Sequence, residues 1–293
     1  MPLVPARHLI EDARTNGYAL GYFESWDIAS LQGVIDAAEQ SRAPVILGFN
    51  GEFLSHAERM ASERLELYAA LGRAAAMSAN VPCALIFNEC PIDAWTLRAI
   101  ELGFTIVMPV AGARSEPEYT AAVKHIATRA HEAGIAVEAE LGVLPHGPTS
   151  APGTTTDPDS AARFVRQTGI DLLAVSVGNV HIASRDAPSL DLDRLDAIHR
   201  AAQIPLVLHG GTGVDEAGVR AAIARGVTKI NYGTYLKRAY LAALQAAQPS
   251  EPFHDPHESL GRGGDHDLLM VCRNAVREAV LARISWLGCC GRA

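Results

Sequence analysis

The chain has 293 residues, 48% of them hydrophobic and 20% charged, with a formal net charge of −8. That balance supplies a sizeable core and excludes global disorder, and an acidic charge without any basic run argues against nucleic acid as the main partner. Five cysteines, at 83, 90, 272, 289 and 290, form no Cys-x-x-Cys pair and are odd in number, so reduced thiols in a cytoplasmic protein are expected. Met1 to Ile10 lacks the apolar core of a signal peptide, and no stretch offers the ~18 apolar residues of a membrane span.

Hydrophobic periodicity then predicts an alternation. A helix over 3–16 closes at Gly17 and a strand follows over 18–23. An amphipathic helix over 28–41 buries Leu31, Val34, Ile35 and Ala38 on one face. Further strands are expected over 44–49, 82–87, 105–109, 135–141, 172–177, 205–208 and 228–231. The helices between and after them are expected over 57–79, 92–102, 117–133, 158–167, 190–202, 216–225 and 234–246. The stretch 144–157, with Pro145, Gly147, Pro148, Pro152 and Gly153, reads as a loop long enough to be a lid. The polar stretch 248–266, with His254 and His257, reads as a solvated loop before a last helix over 267–286.

Eight strands, each followed by a helix, predict a (β/α)8 barrel with an N-terminal helix and a C-terminal helical extension, in one domain spanning 1–293. A doubly wound sheet is the alternative, but no Gly-x-Gly-x-x-Gly follows the first strand. In a barrel, catalytic candidates stand at the carboxyl ends of strands. Here those positions hold Glu24, Asn50, Asn88 with Glu89, Glu138 with Glu140, His181, His209 and Asn231. The seventh strand carries the clearest pattern, Leu206-Val207-Leu208-His209-Gly210-Gly211-Thr212-Gly213. A buried strand stops at a histidine, and the glycines that follow leave backbone N–H groups free to face an anion. A tight turn beside a satisfied histidine is the plainer reading. Asp215 is placed to cap the next helix.

Four segments in order resemble the class II, metal-dependent aldolases of the fructose-bisphosphate and tagatose-bisphosphate type. They are QGVIDAAEQSRAPVIL (32–47), VEAELG (137–142), LHGGTG (208–213) and KINYGTYLK (229–237). The resemblance implies a divalent metal ion, zinc first, that polarises a substrate carbonyl and stabilises the enediolate left by carbon–carbon cleavage. It also leaves room for a monovalent cation. By resemblance His181 and His209 are two metal ligands, and Glu140 is a carboxylate able to approach the metal. Gly210, Gly211, Thr212, Asn231, Gly233 and Thr234 form the phosphate end. The implied substrate is a phosphorylated sugar, and the implied assembly is a homo-oligomer without nucleic-acid or membrane partners.

The sequence departs from the family pattern where a strand normally ends in Asp-His-Gly. Asn88 stands at the aspartate and Glu89 at the histidine. Glu89 retains metal-binding capacity, since two histidines and a carboxylate suit zinc, iron or manganese. Asn88 orients a hydroxyl but cannot shuttle a proton. Ile182 replaces a glycine that offers its N–H to phosphate, and Gly233 replaces an aspartate or alanine. The lid is poor in acids, with Asp157 at its far end; its His146 is either a proton-exchanging group or a solvated loop histidine. Phosphate is expected to be held by backbone N–H groups, with Lys237 and Arg238 as surface charges. Glu24, Trp26 and Asn50 either shape the pocket or pack. Two functions remain: an aldolase-type lyase acting on a ketose phosphate, and a barrel that binds a phosphorylated ligand without cleaving it.

Overall fold

The computed structural model describes residues 2–142, 153–180, 190–247 and 255–293. Its strands are β1 Leu20–Glu24, β2 Val45–Asn50, β3 Cys83–Cys90, β4 Ile106–Pro109, β5 Ala136–Leu141, β6 Leu172–Val175, β7 Leu206–Leu208 and β8 Val227–Tyr232. All pair in parallel with their sequence neighbours, and β8 returns to β1 to close the barrel. This is the (β/α)8 architecture predicted from the alternation, and the doubly wound sheet is excluded by the closure.

The helices are α1 Ala6–Asn16, α2 Ile28–Ser41, α3 Gly51–Leu54, α4 Leu65–Ser78, α5 Asp93–Glu101, α6 Glu116–Glu132, α7 Pro158–Thr168, α8 Leu192–Ala202, α9 Glu216–Ile223, α10 Thr234–Ala247, α11 Pro256–Ser259 and α12 Leu268–Leu287. Capping explains several starts. The side chains of Asp27, Asp157, Asp191 and Asp215 each accept a backbone N–H of the first turn.

The chain's ends also brace the barrel. Val4 N–H donates to the Cys83 carbonyl at 2.9 Å, so the N-terminal segment lies along the start of β3 beneath the strands. α12 packs on α2, α10 and β1, and Ala19 N–H donates to the Leu287 carbonyl at 3.0 Å. No described helix is long and apolar enough to cross a membrane. All five cysteines are free, as the spacing predicted.

Two expectations need correction. The helix predicted over 57–79 is helical only from Leu65, and the short α3 precedes it. The intervening stretch is polar apart from Ala57, Met60 and Ala61, and all three are exposed, so no apolar face is buried there. The third strand runs past Phe87 to Cys90, with a register irregularity between Phe87 and Cys90. That extension carries Asn88 and Glu89 to the barrel mouth. The lid expected over 144–157, with His146, and the loop histidine His254 fall mainly or wholly outside the described residues.

Candidate active site

Strand alternation builds the site in two storeys, because residues two apart face the same way. Glu138 and Glu140 share the inner face of β5, and Lys229 and Asn231 share that of β8. On the lower storey Lys229 and Glu138 are fully buried and ion-paired, with Nζ 2.8 Å from Oε2 and 3.1 Å from Oε1. Lys229 also donates to Asn231 Oδ1 at 2.5 Å and lies 5.2 Å from the centre of the Tyr22 ring. Burial works against both charges. It lowers the Lys229 pKa, whereas the Glu138 carboxyl is held below its ordinary value, against its own burial, by Lys229 and His209.

His209 follows β7 and is 1% exposed. Its Nε2 lies 3.0 Å from Glu138 Oε1 and its Nδ1 2.8 Å from Glu89 Oε1. Burial would lower its pKa, but the two carboxylates outweigh that and push it up to about 10. The imidazole is therefore fixed between a deep carboxylate and one at the mouth. Its backbone is fixed as well: Asn179 donates to the His209 carbonyl at 3.0 Å and to the Val175 carbonyl at 3.3 Å, and accepts the Val177 N–H at 2.8 Å. Asn179 thereby ties the segment leading to His181 to the end of β7. His181 and Ile182 themselves lie outside the described residues.

Glu89 has φ +53°, a left-handed conformation unusual for a residue with a side chain. The turn aims its carboxylate at His209, and Asn50 donates to Glu89 Oε2 at 2.5 Å. Among the described residues Glu140 Oε1 is buried without a hydrogen-bond partner, and burial together with the neighbouring Glu89 and Glu138 raises its pKa to about 7 despite His209. Asn88 is 1% exposed, and among the described residues its Oδ1 has no partner; nor do Asn231 Nδ2 and Tyr22 Oη. All three residues line the same cavity of about 510 Å³. Unanswered polar atoms in a cavity wall are groups left for a polar ligand.

That cavity brings together Asn88, Glu89, Glu140, His209, Gly210, Thr212, Asn231, Gly233 and Thr234 from the predicted set. Gly211 sits behind its wall. Gly210 has φ +67° and starts a short 3-10 turn, Gly211–Gly213. A Cβ on Gly211 would lie 2.6 Å from Ile230 Cγ2 and 2.9 Å from Tyr232 Cε1, so the turn can press against β8 only with glycine there. Thr212 Oγ1 accepts the Tyr235 N–H at 3.2 Å, which joins the turn to the start of α10. Backbone N–H groups at that helix start suit an anion.

The expectation for Lys237 is corrected. It lines the cavity and pairs with Glu24 at 2.5 Å, because three residues beyond Thr234 the helix has turned it back toward β1. Arg238 is exposed, as predicted. Glu138 was named among the strand-end candidates without a role; Lys229 and Asn179 were missed as site-building groups. Their signal was present as polar residues inside runs that otherwise read as buried strand or strand end.

The donor chemistry fits a divalent ion. An imidazole and carboxylates converge, and one carboxylate oxygen, Glu140 Oε1, is buried with no hydrogen-bond partner among the described residues. Among the described residues no three His, Cys, Asp or Glu side chains already stand as a ligand set.

A parallel closed barrel with polar groups gathered at the carboxyl ends of its strands is the architecture of barrel enzymes. The model of the class II fructose-bisphosphate aldolase family matches residues 4–292, and the chain belongs to that family. The uncharacterized protein YdjI of Escherichia coli is 32% identical over 99% of both chains. The fructose-bisphosphate aldolase of Staphylococcus aureus is 31% identical over the full length of both. The crystal structure of the YdjI aldolase superposes with a TM-score of 0.82 at 32% identity, covering 99% of each chain. The family places the chain among aldolase-type lyases.

Proposed function

We propose that the chain is a divalent-metal-dependent carbon–carbon lyase that cleaves a phosphorylated ketose or a related sugar derivative. The observation that carries this reading is His209, buried and fixed between Glu89 and Glu138 at the floor of a cavity whose rim is the Gly210–Thr212 turn. His181, His209 and Glu89 would hold the ion, zinc first, with Glu140 able to join or replace one of them. Bound there, the ion would polarise the substrate carbonyl and stabilise the negative charge left by cleavage.

The chain's own residues supply the rest. The glycine turn and the start of α10 bind the phosphate through N–H groups. Asn88 Oδ1, Asn231 Nδ2 and Tyr22 Oη, without partners among the described residues, would fix sugar hydroxyls. Asn88 Oδ1 accepts a hydrogen bond from a hydroxyl, but the amide does not transfer a proton as a carboxylic acid does. Glu140, whose carboxyl is raised to about 7, would hold a proton near neutral pH when it is not bound to the ion. His146 is a second proton-exchange candidate on the predicted lid. The same reading makes the protein a cytoplasmic homo-oligomer.

The deciding experiment is an aldol-cleavage assay of the metal-loaded protein against a panel of ketose mono- and bisphosphates. Cleavage of at least one sugar phosphate supports the reading. Tight binding of sugar phosphates with no cleavage of any would instead support a ligand-binding barrel.

Two variants probe its parts. Gly211→Val should lower affinity for sugar phosphates by on the order of a hundredfold, because the turn must lift off Ile230 and Tyr232 and lose several N–H contacts. Calorimetric titration that shows unchanged affinity would mean the anion binds elsewhere. Asn88→Asp should leave cleavage of an ordinary ketose bisphosphate unchanged or lower it. The new carboxylate would stand beside Glu89 in the cavity that Glu140 also lines, and like charges there raise one another's pKa or disturb the ligands. A large gain in turnover with metal content unchanged would contradict this and make Asn88 a mere relic.

A further inference from the structure

The wall between the glycine turn and Phe53 carries a charge pair that the reading above leaves without a role. Glu24 ends β1 and is 6% exposed, and Lys237 Nζ lies 2.5 Å from its Oε1. The ammonium also rests 4.0 Å from the centre of the Phe53 ring and 5.8 Å from that of Trp26. Aromatic faces attract a cation, so Lys237 is held in place from two sides. A Cβ at position 233 would collide with Glu24 Oε2. The carboxylate thus lies directly against the backbone of Gly233, within the predicted phosphate end, and the ammonium is one ion-pair length further on. Both side chains line the cavity together with Gly233 and Thr234.

We propose that Glu24 and Lys237 together set the anion affinity of the phosphate end, Lys237 attracting the phosphoryl group and Glu24 holding that attraction down. The inference rests on the phosphate reading above and adds a specificity-determining pair to it. A phosphate entering the turn meets a lysine whose charge is largely answered, so that binding is moderate and release is not impeded. Gly233 is part of the same device, since any side chain there would displace the carboxylate.

The pair makes an electrostatic claim with opposite signs, which a merely structural bridge between β1 and α10 would not. Inorganic phosphate is titrated calorimetrically into the full-length protein at low salt. Lys237→Met should weaken binding about tenfold, and Lys237→Arg should restore most of it. Glu24→Gln should tighten binding several-fold, because the amide keeps the shape but drops the opposing charge. Added salt should shrink both effects. In steady-state assays with a ketose phosphate the same variants should move KM in those directions and kcat little. Weaker binding in both variants, or no change in either while the wild type binds phosphate, would overturn the inference and leave the phosphate reading standing. No phosphate binding by the wild type would overturn both. If Lys237→Met does not fold, Glu24→Gln decides alone: tighter binding supports the inference, and equal or weaker binding overturns it.

Discussion

Replacing His209 with alanine is expected to strip the protein of its divalent ion and to lower aldol cleavage by on the order of a thousandfold or more. The imidazole is the donor the fold has fixed most completely. Glu138 holds one ring nitrogen, Glu89 faces the other, and Asn179 holds the carbonyl behind it. A ring so restrained reaches a metal with little left to order, and alanine offers no donor in its place. Elemental analysis of protein purified without chelator should give about one equivalent for the wild type and close to none for the variant. A Glu89→Ala variant examined in parallel separates the ligand roles. Full metal content in Glu89→Ala would remove Glu89 from the set, and full content in His209→Ala would refute the site as drawn.

The second large effect is on stability. Lys229→Met should destabilise the fold by about 3–5 kcal/mol, because it leaves the Glu138 carboxylate buried without its cation. For a chain whose whole stability is of order 5–15 kcal/mol, the loss should lower the melting temperature by roughly 10 °C. The double variant Lys229→Met/Glu138→Gln should recover a substantial part of it, since no unanswered charge remains. Thermal unfolding followed by circular dichroism measures all three proteins. A Lys229→Met melting curve within about 2 °C of the wild type would show that Glu138 is answered by His209 alone.

These two predictions differ in how visible their causes were in the sequence. The barrel was legible because short apolar runs alternate with 3.6-period segments, and because Gly17, Gly134 and Gly226 mark helix or turn ends. The mouth was legible because a polar residue after an apolar run, such as Asn88, Glu140 or His209, is conspicuous. The lower storey was legible only in Glu138, picked out beside Glu140, and not in its pairing with Lys229. Glu138 and Lys229 lie inside β5 and β8, and only the closed barrel brings them within 2.8 Å of each other. Burial, the property that makes them matter, belongs to the third dimension. Lys237 was misjudged for a related reason. A lysine on an amphipathic helix is ordinarily a solvated charge, and only the approach of Glu24 and Phe53 gives it another surrounding. The polar segment before α4 misled in the opposite sense, since helix-favouring residues without an apolar stripe have nothing to hold a helix down.

The left-handed turn at Glu89 bears on how such a site changes over generations. The turn belongs to the irregular end of β3, which is held by pairing with β2 and β4. Its conformational cost, of order 1 kcal/mol or more, falls on any residue with a side chain and is carried by the sheet. Whatever side chain occupies position 89 is therefore delivered to the same place in the cavity. A single-codon exchange there can trade one donor atom for another while the scaffold stays as it is. Ligand identity becomes a property that drift and selection can sample separately from foldability, which gives the barrel a low-risk route to new metals and new substrates.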